Sequence, residues 1–415
     1  MTEVAIILTL IWALFLILIR KKIASIKVLF AFLFMMLLPS WLEMYFLKQY
    51  IPNQVNYFNI FIFGMLLVIG SLPWLSFDKY LLKNKQILVN QHYIKSLKII
   101  FILIIICSLF SIAYLIPYSI DGIIAGAADR RIEIKESGIL PENFLTTFVV
   151  GIAALNIYNI LFFFISCLDE RLKKFRIWLL ISSMSYIFNC MAFTARDGLI
   201  ILPLFYIIFY IIFRNSIDVK LLKHINKILA IALSVVAVIL IAFTLSRFYA
   251  DKNLDEFFNG TLGYIAQQPY VFDSTVQLQK DYHGFELRFP LINRLLGIEK
   301  YDIDRSDNLF ETQFGTMYSE FYSIGGWWSL ILVTLIYVFY YSLVMVYLKK
   351  HNKYFGILLL FTVYLYIETT GLFYCKAGST VLINIFYIAL SILPLFINNY
   401  IIFSNGKVRY NYSNH

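Results

Sequence analysis

Seven arginines stand at or beside segments that join apolar runs. Arg130 and Arg131 fall between two such runs, Arg196 lies between 177–194 and 198–213, and Arg247, Arg288, Arg294 and Arg305 lie along 247–322. A guanidinium grips phosphate oxygens through two parallel N–H bonds and keeps its charge at any working pH. Several of them at a membrane surface suit a diphosphate head group, the ordinary alternative being solvated or headgroup-facing charge. Arg196 differs from the others because charge between two spans is unfavourable unless it faces a cavity or the interface. Proton-transfer candidates share the same segments: His283, Asp273, Glu286, Asp302, Asp304, Asp307, Glu311 and Glu320. Of the five histidines, only His283 lies in a segment expected outside, and histidine is the commonest general base near neutral pH. Glu320 precedes the apolar run 324–348, so its carboxylate is expected at the mouth of a span. There it would orient or deprotonate a substrate hydroxyl, or else act as a solvated cap at a helix N-terminus. Asn308 and Tyr318 accompany it as candidates for substrate contact, although Tyr318, two residues from Glu320, faces another side of a helix. Tyr249, Tyr264, Tyr270, Tyr282, Tyr301 and Tyr322 add aromatic faces suited to sugars, or to the interfacial belt of any membrane protein.

The elements that must position these residues are membrane spans. Of 415 residues 60% are hydrophobic and 14% charged, and mean hydropathy is +0.76; a soluble chain is nearer 25% charged. Apolar runs at about 4–19, 28–47, 55–77, 99–118, 144–167, 177–194, 198–213, 228–246, 323–348, 354–375 and 379–403 predict an all-α polytopic protein of about eleven helices. The runs 177–194 and 198–213 read as a tight hairpin. The organisation is therefore 1–246 with eight helices and a smaller outer loop at 119–143, then the large outer loop 247–322, then 323–415 with three helices and a tail. A loop of about 76 residues in a compact protein usually has a task, and its aromatic, apolar composition predicts short surface helices rather than disorder.

Charge sets orientation. With the N-terminus outside, 22 of the 35 Lys and Arg fall on the inner segments 20–27, 78–98, 168–176, 214–227, 349–353 and 407–409, as expected for the cytoplasmic side. The net charge of +10 thus reports topology, and no basic face with interleaved polar residues suggests nucleic acid. Cys107, Cys167, Cys190 and Cys375 lie in or at the ends of apolar runs without C-x-x-C spacing, so neither disulfides nor a zinc site is expected. The run 4–19 is followed, not preceded, by Arg20, Lys21 and Lys22, the reverse of a signal peptide, and reads as a retained first span. Glu368, Asn156, Asn159, Asn189 and Asn384 are polar at membrane depth; they would line a path or bond helices together. No Gly-rich phosphate loop, H-E-x-x-H or G-x-S-x-G occurs.

Three stretches carry a resemblance. Gly263 to Asp273 reads GYIAQQPYVFD, Asn308 to Gly326 reads NLFETQFGTMYSEFYSIGG, and Thr194 to Leu199 reads TARDGL. Together they resemble the Wzy-type O-antigen and capsule repeat-unit polymerases: an aromatic Gly/Pro stretch opening the large loop, an Asn…Thr…Tyr…acid stretch leading into the next span, and a Ser/Thr-x-Arg-x-Gly turn. Where that family often has Asp-Phe-Gly, this chain has Glu320-Phe321-Tyr322, and no arginine shows the Arg-x10-Gly spacing of some members. The resemblance implies a GT-C-like polymerase and ligase architecture in the bacterial cytoplasmic membrane, with the C-terminus cytoplasmic. It implies transfer of an undecaprenyl-diphosphate-linked glycan to a hydroxyl of the incoming lipid-linked repeat unit; on the reading of the residues themselves, Glu320 or His283 would be the base and Arg130, Arg131, Arg196, Arg247, Arg288, Arg294, Arg305, Asn308 and Tyr318 the substrate contacts. Its expected partners are those glycans, membrane lipid, a chain-length regulator and a flippase. Neither cofactor nor metal is implied, and the short Asp302-Ile303-Asp304 motif carries little weight. Two alternatives stay open: an O-antigen ligase, for which a late-loop histidine would be expected, and a flippase or proton-coupled transporter using Glu368 and Lys376.

Overall fold

The computed structural model describes residues 2–22, 24–35, 37, 40, 55–77, 86–136, 140–141, 143–193, 195, 197–248, 267–278, 282, 315–373 and 389–404. Most are helical, because an apolar backbone in lipid must satisfy its own N–H and C=O groups. Among the described residues six helices are long and apolar enough to cross a membrane: Tyr57–Leu75, Gln91–Ile124, Glu170–Ala192, Val219–Ala242, Met317–Lys350 and Tyr354–Gly371. The count reaches seven if Phe144–Ala154 and Asn156–Ser166, bent by 44° at Leu155, are one broken span rather than a re-entrant loop. Their outer faces are apolar at helical spacing, as with Ile99, Ile102, Ile106 and Phe110, or Leu332, Leu335, Phe339, Leu343 and Val346. This inverts the soluble pattern and suits contact with acyl chains. The chain divides into two compact units, residues 1–77, 248–347 and 363–393 forming one, and 78–247, 348–362 and 394–415 the other.

In the first unit α1 (Thr2–Ile19) and α2 (Ala24–Met35) pack through stacked rings, Phe15 lying 3.9 Å from Phe34 and 5.0 Å from Phe30. Next come α3 (Tyr57–Gly70), capped by Asn56 through a bond from the Phe58 N–H, and α4 (Leu72–Phe77). The second unit begins with β1 (Gln86–Val89) and α5 (Ile94–Glu136). It continues with α6 (Phe144–Ala154), α7 (Asn156–Ser166), α8 (Arg176–Ser182), α9 (Ser185–Ala192), α10 (Asp197–Phe213) and α11 (Val219–Phe248). Its helices are joined by buried polar bonds: Asn159 Nδ2 donates to Ser108 Oγ (2.9 Å) and to the Ser182 carbonyl (3.0 Å), and Ser111 Oγ to the Val149 carbonyl (2.9 Å). For Asn159 the bonding role anticipated above therefore holds.

Two local features depart from the sequence reading. Residues 119–136, expected in an outer loop, continue α5 past Pro117, Gly122 and Gly126. At 43 residues α5 is about 64 Å long, twice the hydrocarbon thickness. The expected all-α chain also has a small sheet. The run 379–403 ends in a strand, β2 (Ile401–Ser404), which pairs antiparallel with β1, Gln86 opposite Ser404 and Val89 opposite Ile401. Burial alternates along β1, the period of a half-buried strand, and Asn90 extends the pairing to the carbonyls of Tyr400 and Asn399.

That sheet is the centre of a platform. The Ile87 N–H donates to Ser216 Oγ (2.8 Å), Asn399 Nδ2 to the Asn352 carbonyl (2.9 Å), and Gln91 Nε2 to Asp169 Oδ2 (3.4 Å). Residues 86–91, Asp169, Ser216 and Asn352, each from a basic segment, are thus linked through the sheet and its flanks with the chain near residue 400 at one end of this unit. All four segments were assigned to the same side of the membrane from their Lys and Arg content.

Candidate functional site

The described parts of the two loop stretches singled out in the sequence, 267–273 and 315–326, come together in the first unit. Residues 267–278 form helix α12, and α13 (Met317–Lys350) and α14 (Tyr354–Phe373) follow. Inside α13 the backbone breaks at Gly325 and Gly326. Gly326 has φ 65° and ψ −149°, a conformation essentially reserved for glycine, and a Cβ there would stand 2.9 Å from the Tyr282 ring. The break separates a short helix, 317–324, from the membrane-crossing part. Phe272 of α12 packs 6.5 Å from Tyr322 and 6.4 Å from Trp327, and Tyr282 lies 5.9 Å from Tyr322.

Asp273 ties α12 to the start of α3. Its Oδ1 accepts from Asn59 Nδ2 (2.7 Å), and its Oδ2 from the Asn56 N–H (3.1 Å) and Gln277 Nε2 (2.8 Å). Burial raises its pKa above the usual aspartate value, while the three donors pull in the opposite direction. Its oxygens are committed to positioning α12, at a helix N-terminus that favours negative charge.

Polar groups concentrate where these elements meet the interior. Gln268, Asp273, Ser274 and Thr275 on α12 and Thr316, Ser319, Glu320 and Ser323 around the start of α13 are all buried. Positions 316, 319, 320 and 323 share one helical face, a polar stripe turned inward. Thr275 and Ser323 satisfy themselves on carbonyls of their own helices. The hydroxyls of Ser274, Thr316 and Ser319 have no hydrogen-bond partner among the described residues, and buried hydroxyls normally have one. Glu320 is 1% exposed, so it is no solvated cap. Chemically, a carboxylate within a hydroxyl-rich interior at the end of a span suits recognition of a polyhydroxyl ligand.

Tyr318 has a different environment. It is fully buried, its hydroxyl donates to the Leu66 carbonyl (2.8 Å), and its ring meets Phe63 edge to face. Nearby, Tyr337 donates to Glu368 Oε1 (2.7 Å), Tyr364 donates to the Gly70 carbonyl, and the Tyr337 and Tyr364 rings stack at 5.4 Å. Tyr337 and Tyr364, which the sequence reading passed over, are like Tyr318 core residues rather than an interfacial belt.

Of the Thr194–Leu199 stretch in the second unit, Ala195 and residues 197–199 are described. The Ala195 N–H donates to the Cys190 carbonyl, and a Cβ at Gly198 would stand 2.5 Å from Cys190 Sγ, which explains the glycine. Arg130 and Arg131 fall near the end of α5, and Arg247 in the last turn of α11. Arg196, His283, Arg288, Arg294, Arg305, Asn308, Asp302 and Asp304 lie outside the described residues.

The chain matches no family model, no curated protein and no solved structure. Its function is therefore argued from its own residues.

Proposed function

We propose that the chain is a repeat-unit polymerase, a glycosyltransferase that joins undecaprenyl-diphosphate-linked oligosaccharides into a surface polysaccharide on the outer face of the bacterial cytoplasmic membrane. The observation that carries this reading is the meeting of α12 with the start of α13. The two loop stretches that resemble the polymerases are about 35 residues apart in sequence, yet their described parts pack together, the second carrying the inward polar stripe that contains Glu320.

In this reading the anomeric carbon of the donor glycan is attacked by a hydroxyl of the incoming unit. The new glycosidic bond forms as the bond to undecaprenyl diphosphate breaks. The hydroxyl proton passes to a base, Glu320 or His283, and the leaving diphosphate is held by arginines, with Arg196 first among them. Because the diphosphate is already a good leaving group, the protein's task is orientation and charge stabilisation. Eleven spans with the N-terminus outside and the C-terminus inside fit this chemistry, since 247–322 then faces the outer leaflet and the basic platform faces the cytoplasm.

Deleting the gene tests the reading. A polymerase mutant leaves single repeat units on the outer-leaflet carrier or on the lipid core. Intact carrier-linked polymer would indicate a ligase instead, and units retained on the inner leaflet would indicate a flippase.

A further inference from the structure

The second unit carries a groove that the polymerase reading does not use. It has a volume of about 400 Å³ and is lined by Ile102, Ile105, Ile106 and Leu109 of α5 and by Lys174, Phe175 and Trp178. Phe175 is fixed from behind by Phe101, 5.6 Å away. Ile102, Ile106 and Trp178 are about half exposed, so the groove opens sideways at the platform end of the spans. Lys174 is its one charged lining residue, and Lys98 lies one turn before Ile102 on α5.

The charges around it are sorted. Arg171 pairs with Asp169 (2.7 Å) and Arg176 with Glu170 (2.9 Å), so the two acids of this segment are taken by its arginines. Lys98 and Lys174 have no ion pair among the described residues. An uncommitted ammonium therefore sits at the mouth of an apolar channel that follows α5 for about 10 Å, seven residues at the helical rise, beside a tryptophan of the kind that marks the headgroup level.

We infer that this groove binds an anionic phospholipid, with its phosphate at Lys174 and Lys98 and one acyl chain along Ile102 to Leu109. Charge complementarity selects an anionic lipid over a zwitterionic one, and lateral openness selects a bilayer lipid over a protein segment. The site stands on the geometry of the second unit alone. Its assignment to the cytoplasmic leaflet rests on the basic-residue partition.

The test uses the full chain in phosphatidylcholine vesicles containing a minor fraction of dibrominated phosphatidylglycerol or of dibrominated phosphatidylcholine. The Trp178 signal is obtained as the difference between the wild type and Trp178→Phe. Brominated phosphatidylglycerol should quench that signal more than brominated phosphatidylcholine. The preference should fall about fivefold in Lys174→Gln, from ~1 kcal/mol per basic residue near the surface, and further in Lys98→Gln/Lys174→Gln. Lys173→Gln is the control, because it changes the net charge equally from an exposed position that does not line the groove. Equal quenching by the two lipids would overturn the proposal in favour of ordinary annular lipid. Equal losses in Lys173→Gln and Lys174→Gln would overturn it in favour of a general surface potential.

Discussion

Gly70 and Tyr318 form a steric pair that can be measured. Gly70 ends α3, and a Cβ placed there would collide with the Tyr318 hydroxyl and stand 4.0 Å from Glu368 Oε1. The hydroxyl cannot easily retreat: the ring is fully buried against Phe63, and the oxygen is already 2.8 Å from the Leu66 carbonyl. Gly70→Ala should therefore lose about 1–3 kcal/mol through overpacking, against which the better helix propensity of alanine returns at most ~1 kcal/mol. Tyr318→Phe removes one buried hydrogen bond, about 1 kcal/mol, and clears the space the new methyl needs. The double variant should then be no less stable than Tyr318→Phe alone, a favourable coupling of about 1–2 kcal/mol in a double-mutant cycle. Denaturant titration of the purified protein in detergent micelles reads all four species. Additive losses, or a Gly70→Ala variant as stable as the wild type, would refute the packing argument. Because the hydroxyl is held by backbone, Tyr318→Phe should still make polymer.

Three further outcomes are expected. Arg196→Lys keeps charge but loses the two-pronged grip on phosphate, so both it and Arg196→Ala should abolish polymer at normal protein level; unchanged chain-length distributions on a polysaccharide gel would remove Arg196 from the mechanism. Glu320→Gln, nearly isosteric, should stop polymerisation if the carboxylate is the base, and a normal product from Glu320→Gln combined with failure of His283→Ala would move that role to His283. For topology, cysteine introduced at Lys252 should react with a membrane-impermeant maleimide on intact cells and cysteine at Lys349 should not; labelling at both positions, or only at the second, rejects the orientation.

The spans were legible because one interaction dominates them. Uninterrupted apolar runs bounded by charge have no soluble alternative, and the helices at 57–70, 144–166, 197–213, 317–350 and 354–373 begin within a few residues of where those runs predict. Non-local pairing was not legible. The strand 86–89 is four residues long and meets its partner more than three hundred residues away, so no local pattern announces it. The extension of α5 was hidden by Pro117, which normally ends a helix in water but is tolerated within a membrane span. For Glu320 the sequence leaves base and solvated cap both open, because an acid at a helix start reads the same whether solvated or buried, and only its burial sets the solvated cap aside. The decisive signal was beside it: Thr316, Ser319, Glu320 and Ser323 fall on one face of a helix entering an apolar run. Tyr318, by contrast, looked available for substrate only until its hydroxyl was seen against the Leu66 carbonyl.

The most direct measurement of the central claim is reconstitution. The purified chain in liposomes, supplied only with an undecaprenyl-diphosphate-linked repeat unit, should convert it into carrier-linked dimers and longer chains, releasing one undecaprenyl diphosphate for each bond formed, with no nucleotide sugar present. Mass spectrometry of the extracted lipids reads both products. Unchanged single units under conditions in which the protein is folded, or transfer that appears only when a lipid A-core acceptor is added, would contradict it.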